Sequence, residues 1–169
     1  QQREWSEMRS LDWYLMDEAP HRQIHQFIQD FNHLYKEYGA LWYNDCDVIG
    51  FEWMDCARPE TSTVAFVRRG KTKSKQLMFL LNFTPVEHAK YKVKAPCKGK
   101  FTEILNSDDI KYGGQGRINA KPVTAKIKKS LPKAGGGKAP VSVSKVPEYE
   151  IECYLPPLSV VVLEYNYNE

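Results

Sequence analysis

Between residues 21 and 39 apolar side chains return every three or four positions: Ile24, Phe27, Ile28, Phe31, Leu34, Tyr35 and Tyr38. That spacing lays them along one face of an α-helix. Pro20 suits its first turn, and Gly39 stands where a left-handed residue would close its last. At 1.5 Å per residue the predicted helix is about 28 Å long. Before it, residues 1 to 19 read as irregular. After it the rhythm changes to strands. GFEWMD (50–55) comes first, then STVAFVRR (62–69). KQLMFLLNFTP (75–85) is apolar on both faces, as a central strand should be. AKYKVKAP (89–96) puts Tyr91 and Val93 on one face and lysines on the other. KFTEILNSD (100–108) reads as a strand entering an Asn/Ser/Asp turn. EYEIECYLPP (148–157) turns Tyr149, Ile151, Cys153 and Leu155 inward and Glu148, Glu150 and Glu152 outward. LSVVVLEYNY (158–167) closes the chain, and YGGQG (112–116) and GGG (135–137) mark loops.

Seven or eight short strands separated by turns predict a mainly β chain, an antiparallel sandwich or barrel. A sandwich fills its own core, which leaves the helix without an obvious partner. Either it packs on the outside of the sheets, or its partner lies upstream of Gln1.

The chain's 169 residues suffice for one domain, or one domain plus a piece of another. Hydrophobic residues make up 42% and charged residues 27%, the balance of an ordinary soluble protein. The longest wholly apolar run, Leu77 to Leu81, is far too short for a membrane span, so no membrane partner is expected. Gln1 in place of Met suggests a fragment or a processed chain. Cys46, Cys56, Cys97 and Cys153 lie far apart without metal-ligand spacing, and read as free thiols in a reducing, cytoplasmic compartment. The four histidines offer neither a catalytic triad nor a metal set, so no cofactor and no metal are expected. Asn82-Phe83-Thr84 matches a glycosylation sequon but falls in a strand expected to be buried.

The net charge of +3 hides an asymmetry. Residues 111 to 145 hold nine Lys or Arg and no acid, including Lys126, Lys128, Lys129, Lys133 and Lys138, broken by Pro132, the three glycines and Pro140. Tyr112 is the one aromatic there, whereas a nucleic-acid groove interleaves aromatics with its charge. A solvated loop or edge hairpin guarded by lysines fits better, and no nucleic-acid partner is expected.

Three stretches together carry a resemblance. QQREWSEMRSLDWYL (1–15) resembles the segment after the eighth barrel strand of 1,4-α-glucan (glycogen) branching enzymes. GFEWMD with VAFVRR and FLLNFTPVEHAKYKV (79–93) is similar to the opening of their C-terminal β-domain. FTEILNSDDIKYGGQG (101–116) and LPPLSVVVLEY (155–165) are similar to its end. The lysine-rich segment 120–147 departs from the pattern. The family belongs to the alpha-amylase superfamily, with a (β/α)₈ barrel followed by an all-β, Greek-key-like sandwich. The resemblance implies that residues 1–44 are the end of the barrel, with residues 20–39 its last helix, and that 45–169 are the β-domain. The partners it implies are the N-terminal and barrel domains of the same chain and an α-glucan.

It also implies where catalysis is not. Branching cleaves an α-1,4 bond and remakes an α-1,6 bond with retention, which needs two carboxyl groups roughly 5–5.5 Å apart. The family carries these on barrel strands upstream of Gln1, so no catalytic residue is expected here. The local acid pairs Asp45 with Asp47, Asp108 with Asp109, and Glu150 with Glu152 have the spacing of solvated turns and strand faces. Carbohydrate binding remains, since the apolar C–H faces of sugars lie against flat aromatic rings. The foremost candidate is Trp53, whose alternation with Phe51 fits a core position equally well. Trp5 and Trp13 would flank a glucan path or staple two domains together; Tyr112 and Gln115 come after them. Alternatives are a free-standing carbohydrate-binding module, or the equivalent domain of a debranching or trehalose-releasing relative.

Overall fold

The computed structural model describes residues 3–128 and 147–167. Among these residues one α-helix, α1 (Ala19–Glu37), precedes nine strands: β1 (Phe51–Asp55), β2 (Thr63–Arg68), β3 (Gln76–Asn82), β4 (His88–Ala95), β5 (Lys100–Asn106), β6 (Val123–Thr124), β7 (Lys126–Ile127), β8 (Tyr149–Leu155) and β9 (Ser159–Tyr165). All pairings are antiparallel. The larger sheet has the order β1-β2-β3-β9-β5-β6, and the smaller β4-β8-β7. The chain is thus a mainly β sandwich with one long helix, as expected.

Alternation decides which residues fill the space between the sheets. From the larger sheet come Ala65, Val67, Met78, Leu80, Phe101, Val161, Leu163 and Tyr165; from the smaller, Tyr91, Val93, Ala95, Ile151, Cys153 and Leu155. The opposite face of the larger sheet is apolar as well. Leu77, Phe79 and Val162 on that face cluster with Leu34 of α1 and with Tyr38 just past its end, with Phe27 and Phe31 at the margin. A bulge in β5 between Glu103 and Leu105 swings Leu105 into this second cluster. The molecule is therefore three layers deep: small sheet, large sheet, helix. The apolar run of β3 has this cause, because the strand is covered on both sides.

The helix buries only part of its stripe. Leu34 and Tyr38 are buried, while Ile24, Ile28 and Tyr35 stay exposed. Its end differs from expectation. Gly39 is not left-handed; Tyr38 turns extended (φ −102°, ψ 102°) and Gly39 begins a 3₁₀ turn through Leu41. The chain thereby leaves the helix along the sheet, with Tyr38 N–H still donating to Leu34 O at 3.0 Å. Residues 1–19, read as irregular, contain a 3₁₀ turn at Trp13–Asp17.

Other expectations fall into place. The sequon residue Asn82 is 2% exposed, its amide donating to Val86 O and Pro156 O at 2.7 and 2.8 Å, so it cannot be glycosylated in the folded chain. Cys46 and Cys56 are exposed, Cys97 and Cys153 buried, and none of the four is in a disulfide. Lys126 lies on the edge strand β7, and Lys128 just beyond it pairs with Glu148 at 3.7 Å. Lys129, Lys133, Lys138 and the triple glycine lie outside the described residues.

Candidate functional site

β1 is the edge strand of the larger sheet, and its outer face carries aromatic residues. Trp53 sits opposite Phe66 of β2. Its ring stands edge-on to Phe51 (centroids 4.8 Å apart) and to Phe66 (5.9 Å). Phe66 in turn stacks on Phe79 at 4.9 Å, on the face that α1 covers further along. Trp53 is thus no core residue: it ends an aromatic row whose inner members are packed and whose last member is 53% exposed. The alternation read correctly in sequence, but the face it shares with Phe51 looks outward, while Met54 points into the core. Among the described residues its indole N–H has no hydrogen-bond partner. The result is a flat, laterally fixed ring with a free donor at its rim.

The strand below this ring is held tightly. Arg69 pairs with Glu52, and Arg58 with Asp55. Arg69 N–H donates to Gly50 O at 3.0 Å. Gly50 admits no side chain, since a Cβ there would lie 2.2 Å from Asn44 O. Arg68, facing outward beside Phe51, donates to Leu41 O at 3.1 Å and to Asp45 Oδ1 at 2.6 Å, tying the segment after α1 to the sheet.

The other candidates lie elsewhere. Trp5 lines a shallow cleft of ≈ 210 Å³ with Arg3, Arg9 and Tyr14, and Trp13 opens the 3₁₀ turn before α1. They are 69% and 65% exposed, and no ring contact joins either to Trp53. Tyr112 is no sugar platform. It is buried against α1, edge-on to Phe27 at 5.1 Å, and its hydroxyl donates to Asp30 Oδ2 at 2.6 Å. Lys111 Nζ reaches the same oxygen at 2.9 Å, and Gln26 donates to Oδ1 at 2.8 Å. The Tyr112 hydroxyl, with Lys111 beside it, pulls the Asp30 carboxyl down to about 2. This cluster fastens helix to sandwich. Gln115 is exposed, with only its backbone N–H engaged, on Asp108 Oδ1 at 3.2 Å.

The acid pairs are scaffolding. Asp45 holds Arg68, and Asp47 caps Ile49 N–H at 3.0 Å. Asp108 accepts from Gln115 and Arg117 N–H, and Asp109 from Lys111 N–H. Glu152 pairs with Lys92 at 3.4 Å, and Glu150 lies opposite Lys94 and Lys126. Among the described residues no three His, Cys, Asp or Glu side chains converge as a metal site requires, and no helix is long and apolar enough to cross a membrane.

Sequence reasoning missed Trp42 and Tyr43, which are 46% and 48% exposed beside the β2–β3 turn. The signal was present as two adjacent aromatics just past a helix end. No periodicity assigns such residues to a face.

The family model for the alpha amylase C-terminal all-beta domain matches residues 53–166. The chain is 38% identical over 167 residues to the 1,4-alpha-glucan branching enzyme GlgB of Synechocystis sp. (strain ATCC 27184 / PCC 6803 / Kazusa). It is 37% identical over 168 residues to the GlgB of Prochlorococcus marinus (strain NATL1A), and 36% over 168 residues to that of strain MIT 9301. Each match covers 98% of this chain and 20% of the relative, so the chain spans about one-fifth of the length of the curated relatives it matches. A sandwich of this topology, matched from the Trp53 strand to the last strand, belongs to the alpha-amylase C-terminal all-beta domain family.

Proposed function

We propose that this chain is the non-catalytic C-terminal region of a cytoplasmic 1,4-α-glucan branching enzyme, the enzyme that transfers a glucan segment from an α-1,4 to an α-1,6 linkage in glycogen synthesis. The similarity to branching enzymes over 98% of the chain carries this reading. Residues 1–44 form the end of the catalytic barrel and 45–169 the β-domain. The exposed half of the α1 stripe, Ile24, Ile28 and Tyr35, lies against the rest of that barrel, while the buried half anchors it to the sandwich. In this reading the sandwich braces the barrel's last helix, and Trp53 holds α-glucan on the outer surface. Trp5 and Trp13 line the path of the glucan near the barrel. Stacking on an exposed ring is weak by itself, so the surface serves to keep a polymeric substrate close.

Two measurements test it. Incubated alone with amylose, the chain introduces no α-1,6 branch points; branching by the chain alone would overturn the assignment of catalysis to other domains. Titration with maltoheptaose shows saturable binding that Trp53→Ala weakens by about two- to tenfold while the thermal midpoint stays within a few degrees. Unchanged binding in this variant would remove Trp53 from the glucan surface.

A further inference from the structure

Beside the end of α1 lies a groove of ≈ 240 Å³ that the sequence did not announce. Trp42 and Tyr43 form one wall, with ring centroids 6.2 Å apart and planes inclined at 58°. The β2–β3 turn forms the other, with Lys71 and Thr72 at its lip. The groove is pre-built. Gln76, 2% exposed, accepts from Gly70 N–H at 2.8 Å and donates to the carbonyls of Thr72 and Ser74, so one buried amide shapes the turn. At its floor Gly70 lies so close to the segment after α1 that a Cβ would come within 2.9 Å of Ala40 N. Lys71 Nζ stands 5.6 Å from the Tyr43 ring centroid.

Its position gives it a meaning. Trp53 lies opposite Phe66 in the β1–β2 ladder, and Gly70 follows four residues on, roughly 13 Å at the rise of a strand. Between them the outer face carries Phe51 and Arg68, and the Arg68 guanidinium grips the backbone leading into Trp42. Two half-exposed aromatic stations therefore flank the β1–β2 edge of the larger sheet, one on β1 and one beside the β2–β3 turn.

We propose that the Trp42–Tyr43 groove is a second carbohydrate subsite, which takes the same linear α-glucan chain as Trp53 and makes this edge a two-point clamp for long chains over short ones. A sugar ring lies on Trp42 while Lys71 Nζ donates to one of its hydroxyls and Thr72 Oγ1, whose own proton goes to Ser74 O at 3.2 Å, accepts from another. The proposal rests on the reading of Trp53 as a glucan platform, yet it fails separately. Maltose and maltoheptaose are titrated by calorimetry against the protein and its Trp42→Ala, Lys71→Ala, Trp53→Ala and doubly substituted Trp42→Ala/Trp53→Ala forms, with melting curves as the check on folding. Expected is a loss of about two- to tenfold for maltoheptaose in Trp42→Ala, a smaller loss in Lys71→Ala, and a reduced advantage of maltoheptaose over maltose. If Trp53→Ala weakens binding while Trp42→Ala and Lys71→Ala leave it intact, the second subsite is wrong and the Trp53 surface stands. If none of the substitutions matters, both readings fall. Should Trp42→Ala unfold the chain, Lys71→Ala, whose side chain is exposed, decides: unaltered maltoheptaose affinity there overturns the subsite.

Discussion

At the scale of residues, the same chemistry serves opposite ends depending on what lies beside it. Tyr112 and Trp53 are both aromatics near helix or sheet edges, yet one is buried with its hydroxyl on a carboxylate and the other presents its face to water. Asp30 shows what such a contact does to ionisation. Its carboxyl titrates at about 2 because the Tyr112 hydroxyl and the Lys111 ammonium favour its charged form. An unfolded chain titrates it near 3.9. A lowered folded value means that the carboxylate favours folding above about pH 4, and that this contribution fades as the pH falls toward 2. Asp30→Asn is expected to cost about 1 kcal/mol at neutral pH, given the partial exposure of the cluster. Melting curves for the two proteins should converge between pH 4 and pH 2, and a gap that persists unchanged at pH 2 would show that charge has no part in the fastening.

Elements are positioned here by close backbone approach as much as by apolar burial. The 3₁₀ turn Val48–Gly50 feeds β1, and Gly50 passes Asn44 with no room for a methyl group. Asn44 also donates its side-chain amide to Arg69 O at 3.0 Å. Gly50→Ala is therefore expected to destabilise by about 2–4 kcal/mol, because a backbone carbonyl cannot move aside as a flexible side chain can. If Trp53 on β1 holds glucan as proposed, the surviving folded fraction should also show weaker maltoheptaose binding, together with a lower denaturation midpoint. A Gly50→Ala protein that melts like its parent would contradict the packing described for this turn. Helix α1 illustrates the same point with opposite sign. Its capping lacks any side-chain hydrogen bond at the N-terminus, so packing of Phe27, Phe31, Leu34 and Tyr38 on the sheet does the work that caps do elsewhere.

For the whole molecule, the decisive feature is a helix with two greasy sides and one partner. The sandwich covers Leu34 and Tyr38, while Ile24, Ile28 and Tyr35 face outward, and Trp5, Met8 and Trp13 add apolar surface at the N-terminal end. Such a surface invites contact with another domain or another copy. Alone in solution the chain is expected to bind a hydrophobic dye or to self-associate, checked by dye fluorescence and by sedimentation. A monomer that binds no dye would count against the proposed seat of the barrel on this face. Relatives matched over one-fifth of their length are consistent with such a neighbour.

Much of this is legible in the amino-acid sequence alone. The 3.6-residue stripe of α1 and the alternation of β4 and β8 name their elements because hydrophobic periodicity reflects a single buried face. The double-sided run in β3 likewise announced a central strand, and motif order pointed to the family. Gly39 misled because a glycine after a helix permits a left-handed end but does not require one; here the sheet, not the cap, directs the exit of the chain. Trp53 could not be placed from its pattern, since alternation separates two faces without saying which one meets water. Only the tertiary structure decided that, by packing Phe51, Phe66 and Phe79 ring against ring on the helix side of the sheet and leaving Trp53 half exposed at the end of the row. The same holds for Tyr112, Trp42 and Gly70. Their roles depend on segments far apart in sequence that meet only when the helix lies down on the large sheet, and local pattern carries no record of that meeting.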